Sequence, residues 1–174
     1  MIYMVEMDMR LDDREAEWHE WYRAHIKVLL TVPGFRASQR FQSILPCPAP
    51  YLALHQVDSG AIFESPEYRS RGGPGSTGEW RARHSNWRRN LLEGLDETPE
   101  VAAGAYLLRL ENARDLGLPA EVRLTWTKAV ALDRDAAEFA LAVMDDPAPV
   151  LDLAGRDERV RLYRPISDKL RETV

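Results

Sequence analysis

The sequence is poor in cysteine and has no long apolar run, and each lack excludes a class of protein. The single cysteine, Cys47, can form neither an internal disulfide nor a multi-cysteine metal site. No apolar run approaches the roughly 20 residues that a helix needs to cross a bilayer. The first ten residues include Glu6 and Asp8 and have no basic lead-in, unlike a secretory signal. We therefore expect a cytoplasmic protein that does not enter a membrane.

An excess of basic residues is also lacking. The 174 residues carry 23 Lys and Arg against 28 Asp and Glu, a net charge of −5. Arginines gather at 81, 83, 88 and 89, but at helical spacing they surround the axis, as on a solvated helix face. We expect no nucleic-acid partner. With 45% hydrophobic and 29% charged residues, the chain has the composition of an ordinary globular domain.

The familiar motifs for nucleotides, metals and serine nucleophiles are missing. The glycine-rich segment RGGPGSTGEW, 71–80, has no lysine where a P-loop needs one and lacks dinucleotide-fold spacing. It is more typical of a mobile loop. There is no His-Glu-x-x-His element and no Gly-x-Ser-x-Gly elbow. We predict no bound metal and no cofactor.

The hydrophobic pattern predicts an α+β fold. Alternation over 1–10 indicates a strand; a helix capped by Asp12 or Asp13 runs to about Leu30, where VPGF ends it. Strands follow at 35–44 and 51–57, then a short helical turn near Ser59 or Ser65. A second long helix from about 76 to 95 and a strand at 101–112 complete the order β-α-β-β-α-β. This is the order of a ferredoxin-like unit with an antiparallel sheet, and we assign it to 1–112.

Residues 113–174 form a second region in this interpretation. A strand at 121–132, a helix at 134–144 and a hairpin at 150–166 give β-α-β-β. Residue identity with the first region is too thin to call a repeat. The region is therefore either a strand-bearing extension or a degenerate second unit packed on the first.

Histidines lie in the middle of two predicted apolar helix faces. At 100° per residue, the first-helix aromatic and aliphatic residues span roughly 140°, with His25 near the centre. The second predicted helix has His84 within a set spanning about 80°. One such histidine is more often a packed core residue, but two on adjacent helices favour a shared pocket. The two sets are Trp18, Trp21, Tyr22, His25, Ile26 and Leu29, and Trp80, His84, Trp87, Leu91 and Leu95.

Burial would make these histidines neutral groups at pH 7. An imidazole out of water has a lowered pKa, so it suits a base or a hydrogen-bond partner. His55 shares a strand face with Tyr51 and Ala53, and it joins the pocket if that face meets the helices. Arg40 shares a strand face with Arg36 that we expect to lie at solvent or at a subunit interface.

Four segments resemble a known superfamily. They are WYRAHIKVLLTVPGF at 21–35, RASQRF at 36–41, YLALHQVDS at 51–59 and SPEY at 65–68. Together they resemble the dimeric α+β barrel superfamily, in particular EthD-like and related small bacterial proteins, over about the first 110 residues. The resemblance implies ferredoxin-like units whose sheets form a barrel, either across a two-fold axis or across two units in one chain. It also implies ligands held between sheet and helices.

The functional hypothesis is a small homodimeric enzyme that acts on an apolar or aromatic metabolite. His25 and His84 are the predicted catalytic residues, and Trp21, Tyr22, His55 and Trp87 are predicted to bind the substrate. The resemblance implies a cofactor-free oxygenase, cyclase or decarboxylase, since the superfamily includes all three. A non-catalytic carrier of a hydrophobic molecule and a haem-binding protein remain alternatives.

Overall fold

A computed structural model describes residues 1–10 and 13–172, with the side chain of Pro74 also outside the description. Within this part, nine strands, three α-helices and two 3-10 helices alternate along the chain. The strands are β1 (Ile2–Met9), β2 (Phe35–Ser43), β3 (Tyr51–Val57), β4 (His84–Glu93), β5 (Tyr106–Glu111), β6 (Thr125–Leu132), β7 (Glu138–Met144), β8 (Val160–Pro165) and β9 (Leu170–Arg171). The α-helices are α1 (Glu15–Leu29), α2 (Pro66–Arg71) and α3 (Ala148–Arg156), and the 3-10 helices are Gly60–Glu64 and Pro74–Arg83.

Eight of these strands form one antiparallel barrel. The order around the sheet is β3-β1-β4-β6-β7-β5-β8-β2, and pairing of β2 with β3 closes the ring. The short β9 adds to β2 at Ala37 and Ser38, beside the end of β8. The α+β class and the antiparallel sheet are thus as predicted. Closure occurs within one chain, so a second chain is not needed to complete the sheet, and the homodimer stays a prediction.

Alternation along the strands produces three apolar layers. Residues such as Met4, Leu54 and Phe139 fill the barrel interior. The outer face of β1 to β4 packs under α1, α2 and Trp80 of the second 3-10 helix. The outer face of β5 to β8 packs under α3 and the segment 113–124. The layer under α1 is the one that holds the predicted site residues.

A buried ion cluster occupies the barrel interior among the apolar side chains. Glu6 and Arg109 are both fully buried and lie 2.5 Å apart, and Tyr163 donates to Glu6 over 3.0 Å. Arg88 and Arg161 approach the same carboxylate at 2.9 and 3.2 Å. These arginines outweigh burial and lower the pKa of Glu6 to about 2. The cluster pairs the charges inside the barrel, although Nε of Arg109 and Nε of Arg161 have no hydrogen-bond partner among the described residues. It is separate from the layer under α1.

Three secondary-structure predictions are wrong. The long helix predicted at 76–95 is a 3-10 helix followed by strand β4, and the helix predicted at 134–144 is mainly strand β7. The hairpin predicted at 150–166 is α3 followed by β8. Strand β7 is buried over Phe139–Ala142 on both faces, so it has no two-residue alternation and resembles a helix in composition.

Several helix boundaries also differ from expectation. Helix α1 begins at Glu15 with no side-chain cap, so Asp13 does not cap it, and Asp12 lies outside the described residues. The predicted turn near Ser59 or Ser65 is present: Ser65 caps α2 by accepting from the Tyr68 N–H. Most of the supposed mobile loop belongs to α2 and the second 3-10 helix rather than to irregular chain.

The first four strands and the next four form two groups of neighbouring strands, and the chain passes from one group to the other between Glu93 and Tyr106. Strand β5 pairs with β7 and β8, whereas β4 pairs with β1 and β6. The first four strands are adjacent in the order β4-β1-β3-β2, and β5 to β8 in the order β8-β5-β7-β6. Strand β5 therefore pairs with later strands, and the division into regions 1–112 and 113–174 stays a prediction.

Candidate functional site

The outer face of β1 to β4 presents two rows of side chains to α1. Strand pairing aligns Ser38, His55, Tyr3 and Leu91 in one row. The next row is Arg40, Ala53, Val5 and Arg89. Helix α1 covers this face with Trp18, Tyr22, Ile26 and Leu29, all of which are buried. The odd-numbered face of the 51–57 strand thus meets the helix, which brings His55 beneath it.

A β-bulge directs both His84 and Trp87 to the same face. The two residues are three apart, so in a regular strand they would point to opposite faces. Between Asp8 opposite Ser85 and Glu6 opposite Arg88, β4 has one residue more than β1. Asn86 at this point has a φ of 47°, a left-handed conformation that asparagine tolerates. The bulge therefore places His84 and Trp87 on one face. The sequence predicted this proximity from helical spacing, but the segment is a strand.

All six predicted site residues line one cavity. They are His25, His84, Trp21, Tyr22, His55 and Trp87. The cavity itself is small, about 30 Å³, and further space at its mouth is open to solvent. An aromatic ligand therefore enters only when lining side chains move. The lining is completed by residues that were not predicted as site residues: Tyr3, Val5, Leu29, Tyr68, Gly72, Gly73, Thr77 and Arg89.

His25 projects from α1 into this cavity. Its ring stacks on Trp21 with centroids 5.1 Å apart and planes within 9°, and its edge meets Tyr22 at 6.1 Å. Burial alone lowers the pKa of His25 to about 4. The imidazole is therefore neutral at pH 7 and able to accept a proton.

His84 lies across the cavity from α1 and is also desolvated. Its ring packs against Trp87 edge-to-face at 4.6 Å and is 6.4 Å from Trp21. Burial lowers the pKa of His84 to about 4, with a smaller effect from nearby His25. Within the described part of the chain, Nδ1 and Nε2 of His84 and Nε1 of Trp87 are buried without a hydrogen-bond partner.

His55 forms the floor of the cavity. It is 1% exposed, stacks on Tyr3 at 5.4 Å and meets the edge of Phe35 at 5.9 Å. Burial, and then the charges of His25 and Arg40, lower the pKa of His55 to about 3. Its Nδ1 also has no hydrogen-bond partner among the described residues. Three neutral imidazoles thus face one aromatic space.

Arg40 is not at a solvent or subunit face, as we expected, but 4% exposed beneath α1. Its guanidinium lies 4.0 Å from the Tyr22 ring centre and 4.8 Å from that of Trp18. It is also within 3.2 Å of Nδ1 of His19. Burial lowers the pKa of Arg40 to about 10, and the aromatic faces stabilise the cation there. The sequence missed this because four polar residues alternate on one face of β2, a pattern typical of exposure.

The residues that the sequence missed have different signals. Tyr3 shares the alternating face of β1 with Val5, so its position was available once that face was known to meet the helices. Tyr68 lies three residues after Ser65, which caps α2 by accepting from the Tyr68 N–H. The predicted helical turn at Ser65 was the signal for its position. Arg89 has no such signal, because it was placed on a solvated helix face that does not exist.

The described residues contain no group of three or more His, Cys, Asp or Glu arranged to hold a metal ion. The three histidines of the pocket come from α1, β3 and β4. No helix among the described residues is long and apolar enough to cross a membrane.

Comparison with known proteins gives information on the fold. No family model matches the chain, and no curated protein matches it significantly. Among solved structures, the chain is similar to one described as an anthrone oxidase-like protein, with a TM-score of 0.58. The match covers 99% of this chain and 94% of that one at 10% sequence identity. This likeness supports the barrel architecture of the whole chain, whereas neither the EthD-like family nor the wider superfamily is shown by it.

Proposed function

We propose that the protein is an enzyme that binds an aromatic metabolite in the pocket under α1 and moves a proton with a neutral histidine. The observation that carries this proposal is the set of buried nitrogens around one aromatic cavity. Nδ1 of His55, both ring nitrogens of His84 and Nε1 of Trp87 have no hydrogen-bond partner among the described residues. Buried polar groups without partners are rare in native proteins. A ligand with aromatic faces and oxygen atoms would supply the missing contacts.

His25 is the proposed general base. It is neutral at pH 7, because burial lowers its pKa. Burial makes the free imidazole a weak base. After proton transfer, however, the imidazolium would face the anion that it has just created, and this attraction offsets the cost of burial. Proton transfer of this kind typically contributes about 10²–10⁴-fold to a rate.

An aromatic ketone or phenol with an acidic hydrogen fits this chemistry. The name of the structural neighbour, anthrone oxidase-like protein, points to the same class of substrate. Removal of a proton from such a molecule gives an enolate, which His55 and His84 can stabilise by donating hydrogen bonds. Molecular oxygen then adds to the carbanionic carbon of the enolate, and the peroxide anion takes back the proton from His25. Cleavage of the O–O bond with loss of one water converts a CH2 carbon into a carbonyl group without a cofactor, as in the oxygenases that the sequence resemblance implied.

We also propose that the barrel consists of two ferredoxin-like units. The orders β4-β1-β3-β2 and β8-β5-β7-β6 are equivalent when β5 to β8 are numbered as a second set of four. In the first half α1 follows the first strand, whereas in the second half the segment 113–124 stands in its place. The loss of that helix explains why the second unit looked like a degenerate extension in the sequence.

The test uses anthrone as the probe substrate and follows both oxygen consumption and the change in absorbance. His25→Ala should reduce turnover by about 10²-fold or more while the variant still binds the probe. His19→Gln is the matched control, because His19 lies on the same helix but does not line the cavity. Normal turnover by His25→Ala, or equal loss of turnover in both variants, would contradict the proposed base.

A carrier function is the second candidate, favoured by the aromatic lining and the absence of charge on all three imidazoles at pH 7. A pocket of this kind can hold an apolar molecule without altering it. Native mass spectrometry of freshly purified protein distinguishes the two. A retained and chemically unchanged molecule, with no turnover of it, favours the carrier.

A further inference from the structure

The formal charge that lines the pocket is positive only. Of the described residues that line it, Arg89 alone carries a formal charge at pH 7, since the three histidines are neutral. The remaining lining is aromatic, aliphatic, hydroxyl or glycine. A neutral ligand would gain less from the cation than an anionic one, which is attracted by its full charge.

The guanidinium of Arg89 is held loosely by the protein. Its backbone N–H donates to Oδ2 of Asp133 over 2.7 Å, but its Nη2 is 3.9 Å from Oδ1, beyond hydrogen-bond distance. The neighbouring Arg88 differs sharply, because its guanidinium binds Glu6 and Glu111 at 2.9 Å inside the barrel. Arg89 therefore keeps donor groups that a ligand can use.

Arg89 also lies where the pocket meets a second concavity. Arg89, Tyr68 and Gly73 line both spaces, and the outer one has a volume of about 340 Å³. The side chain of Arg89 is 29% exposed, consistent with a position at this junction. The acidic residue of the outer space, Glu64, is already paired with Arg69.

The positive charge of Arg89 acts on Tyr3 and Tyr68, at the same end of the pocket. Burial raises the pKa of both Tyr3 and Tyr68, and the positive charge of Arg89 opposes that rise in each. An oxyanion placed near these two rings would experience the same attraction. This end of the pocket is suited to a negatively charged oxygen.

We infer that the ligand carries an oxyanion, either a carboxylate or a phenolate, and that Arg89 binds it at the mouth of the pocket while the aromatic body lies against His55 and the stacked rings of Trp21 and His25. The inference rests on the proposed function, because it names the chemical class of the molecule that the same pocket takes. Arg89 is on this basis the residue that determines specificity. A planar guanidinium is well matched to the two oxygens of a carboxylate.

Binding of 1-naphthoate and its neutral counterpart 1-naphthamide, measured by calorimetry, tests this inference. The wild-type protein should bind the acid about tenfold to a hundredfold more tightly, the range expected for charge-assisted hydrogen bonds. Arg89→Gln should remove this preference and leave affinity for the amide unchanged. Arg89→Lys should retain most of the preference. The control is Arg123→Gln, which removes one exposed arginine in the other half of the barrel.

The possible outcomes distinguish the role of Arg89 from the existence of the pocket. Equal affinity of the wild-type protein for the two probes, or equal weakening of both by Arg89→Gln, overturns the role of Arg89 and leaves the aromatic pocket intact. Failure of both probes to bind the wild-type protein rejects the pocket itself and the inference with it. The wild-type comparison needs no variant, so a folding defect in Arg89→Gln would not prevent a decision.

A third probe distinguishes the two sources of the oxyanion. If 1-naphthol binds more tightly as pH rises through its own ionisation, and Arg89→Gln abolishes the rise, the pocket accepts a phenolate. If naphthol affinity is independent of its ionisation while naphthoate is preferred, the site selects a carboxylate. Added salt should weaken naphthoate binding and have little effect on the amide.

Discussion

His55 provides the sharpest test of the pocket's electrostatics. It is 1% exposed between Tyr3 and Phe35, and burial lowers its pKa to about 3 from an ordinary value of 6.5. The unfolded chain therefore binds a proton at mildly acidic pH while the folded protein does not. We predict that His55→Phe, which keeps an aromatic ring in the same space, makes folding less sensitive to acid.

The sign and size of the effect follow from the two pKa values. Above the unfolded value both states are neutral, so His55 does not affect the pH dependence there. As pH falls, the unfolded state gains protons first and the free energy of unfolding decreases, until the folded pKa is reached. At about pH 5 the loss due to His55 is about 2 kcal/mol, relative to neutral pH. This figure is nearly the same for any folded pKa below about 4.

Urea denaturation at neutral pH and at about pH 5 measures this difference. The loss of unfolding free energy between the two conditions should be smaller in His55→Phe than in the wild-type protein by about 2 kcal/mol. His19→Gln should reduce the loss less, because the Glu15 carboxylate, 3.4 Å from the His19 ring, offsets part of its burial. An acid response of His55→Phe equal to that of the wild-type protein would refute a neutral, buried His55.

Two further predictions concern the barrel and the bulge. Glu6→Gln should reduce the free energy of unfolding by about 3–5 kcal/mol, because the fully buried Arg109 then keeps, among the described residues, only Glu111 as a carboxylate partner and shares it with Arg88. Glu138→Gln, at a more exposed pair, should cost far less. Chemical denaturation of both variants checks this, and equal losses would contradict it. Asn86→Val should lose about 1–2 kcal/mol and weaken naphthoate binding, since a β-branched residue resists the left-handed conformation at φ 47°. Asn86→Gly should retain both stability and binding, and loss of binding in the glycine variant would show that the bulge does not set the pocket's shape.

The first half of the fold followed from local sequence signals. Alternation on β1, the Pro-Gly stop after α1 and the two strands after it have correct types and nearly correct boundaries. These elements each bury one face, so their periodicity is visible in the sequence. Strand β7 and the region 76–95 failed, because one is buried on both sides and the other is a 3-10 helix joined to a bulged strand.

The predicted site residues share one pocket, although the helix predicted at 76–95, on which two of them were placed, is not present. Helical spacing on α1 correctly predicted that His25, Trp21 and Tyr22 face the sheet. His84 and Trp87 reach the same cavity from a strand, where the extra residue at Asn86 compensates for their three-residue separation. A bulge depends on pairing with a distant strand, and one sequence does not reveal that pairing.

The sequence by itself determined that an aromatic helix with a central histidine would cover an antiparallel sheet, since hydrophobic spacing within one element records which side is buried. Only the tertiary structure decided that the sheet closes on itself, that Arg40 is buried beneath α1, and that Arg89 reaches the pocket while Arg88 points into the barrel. These outcomes depend on which strands become neighbours and in which register. Contacts between residues far apart in the chain set both, and local periodicity does not record them.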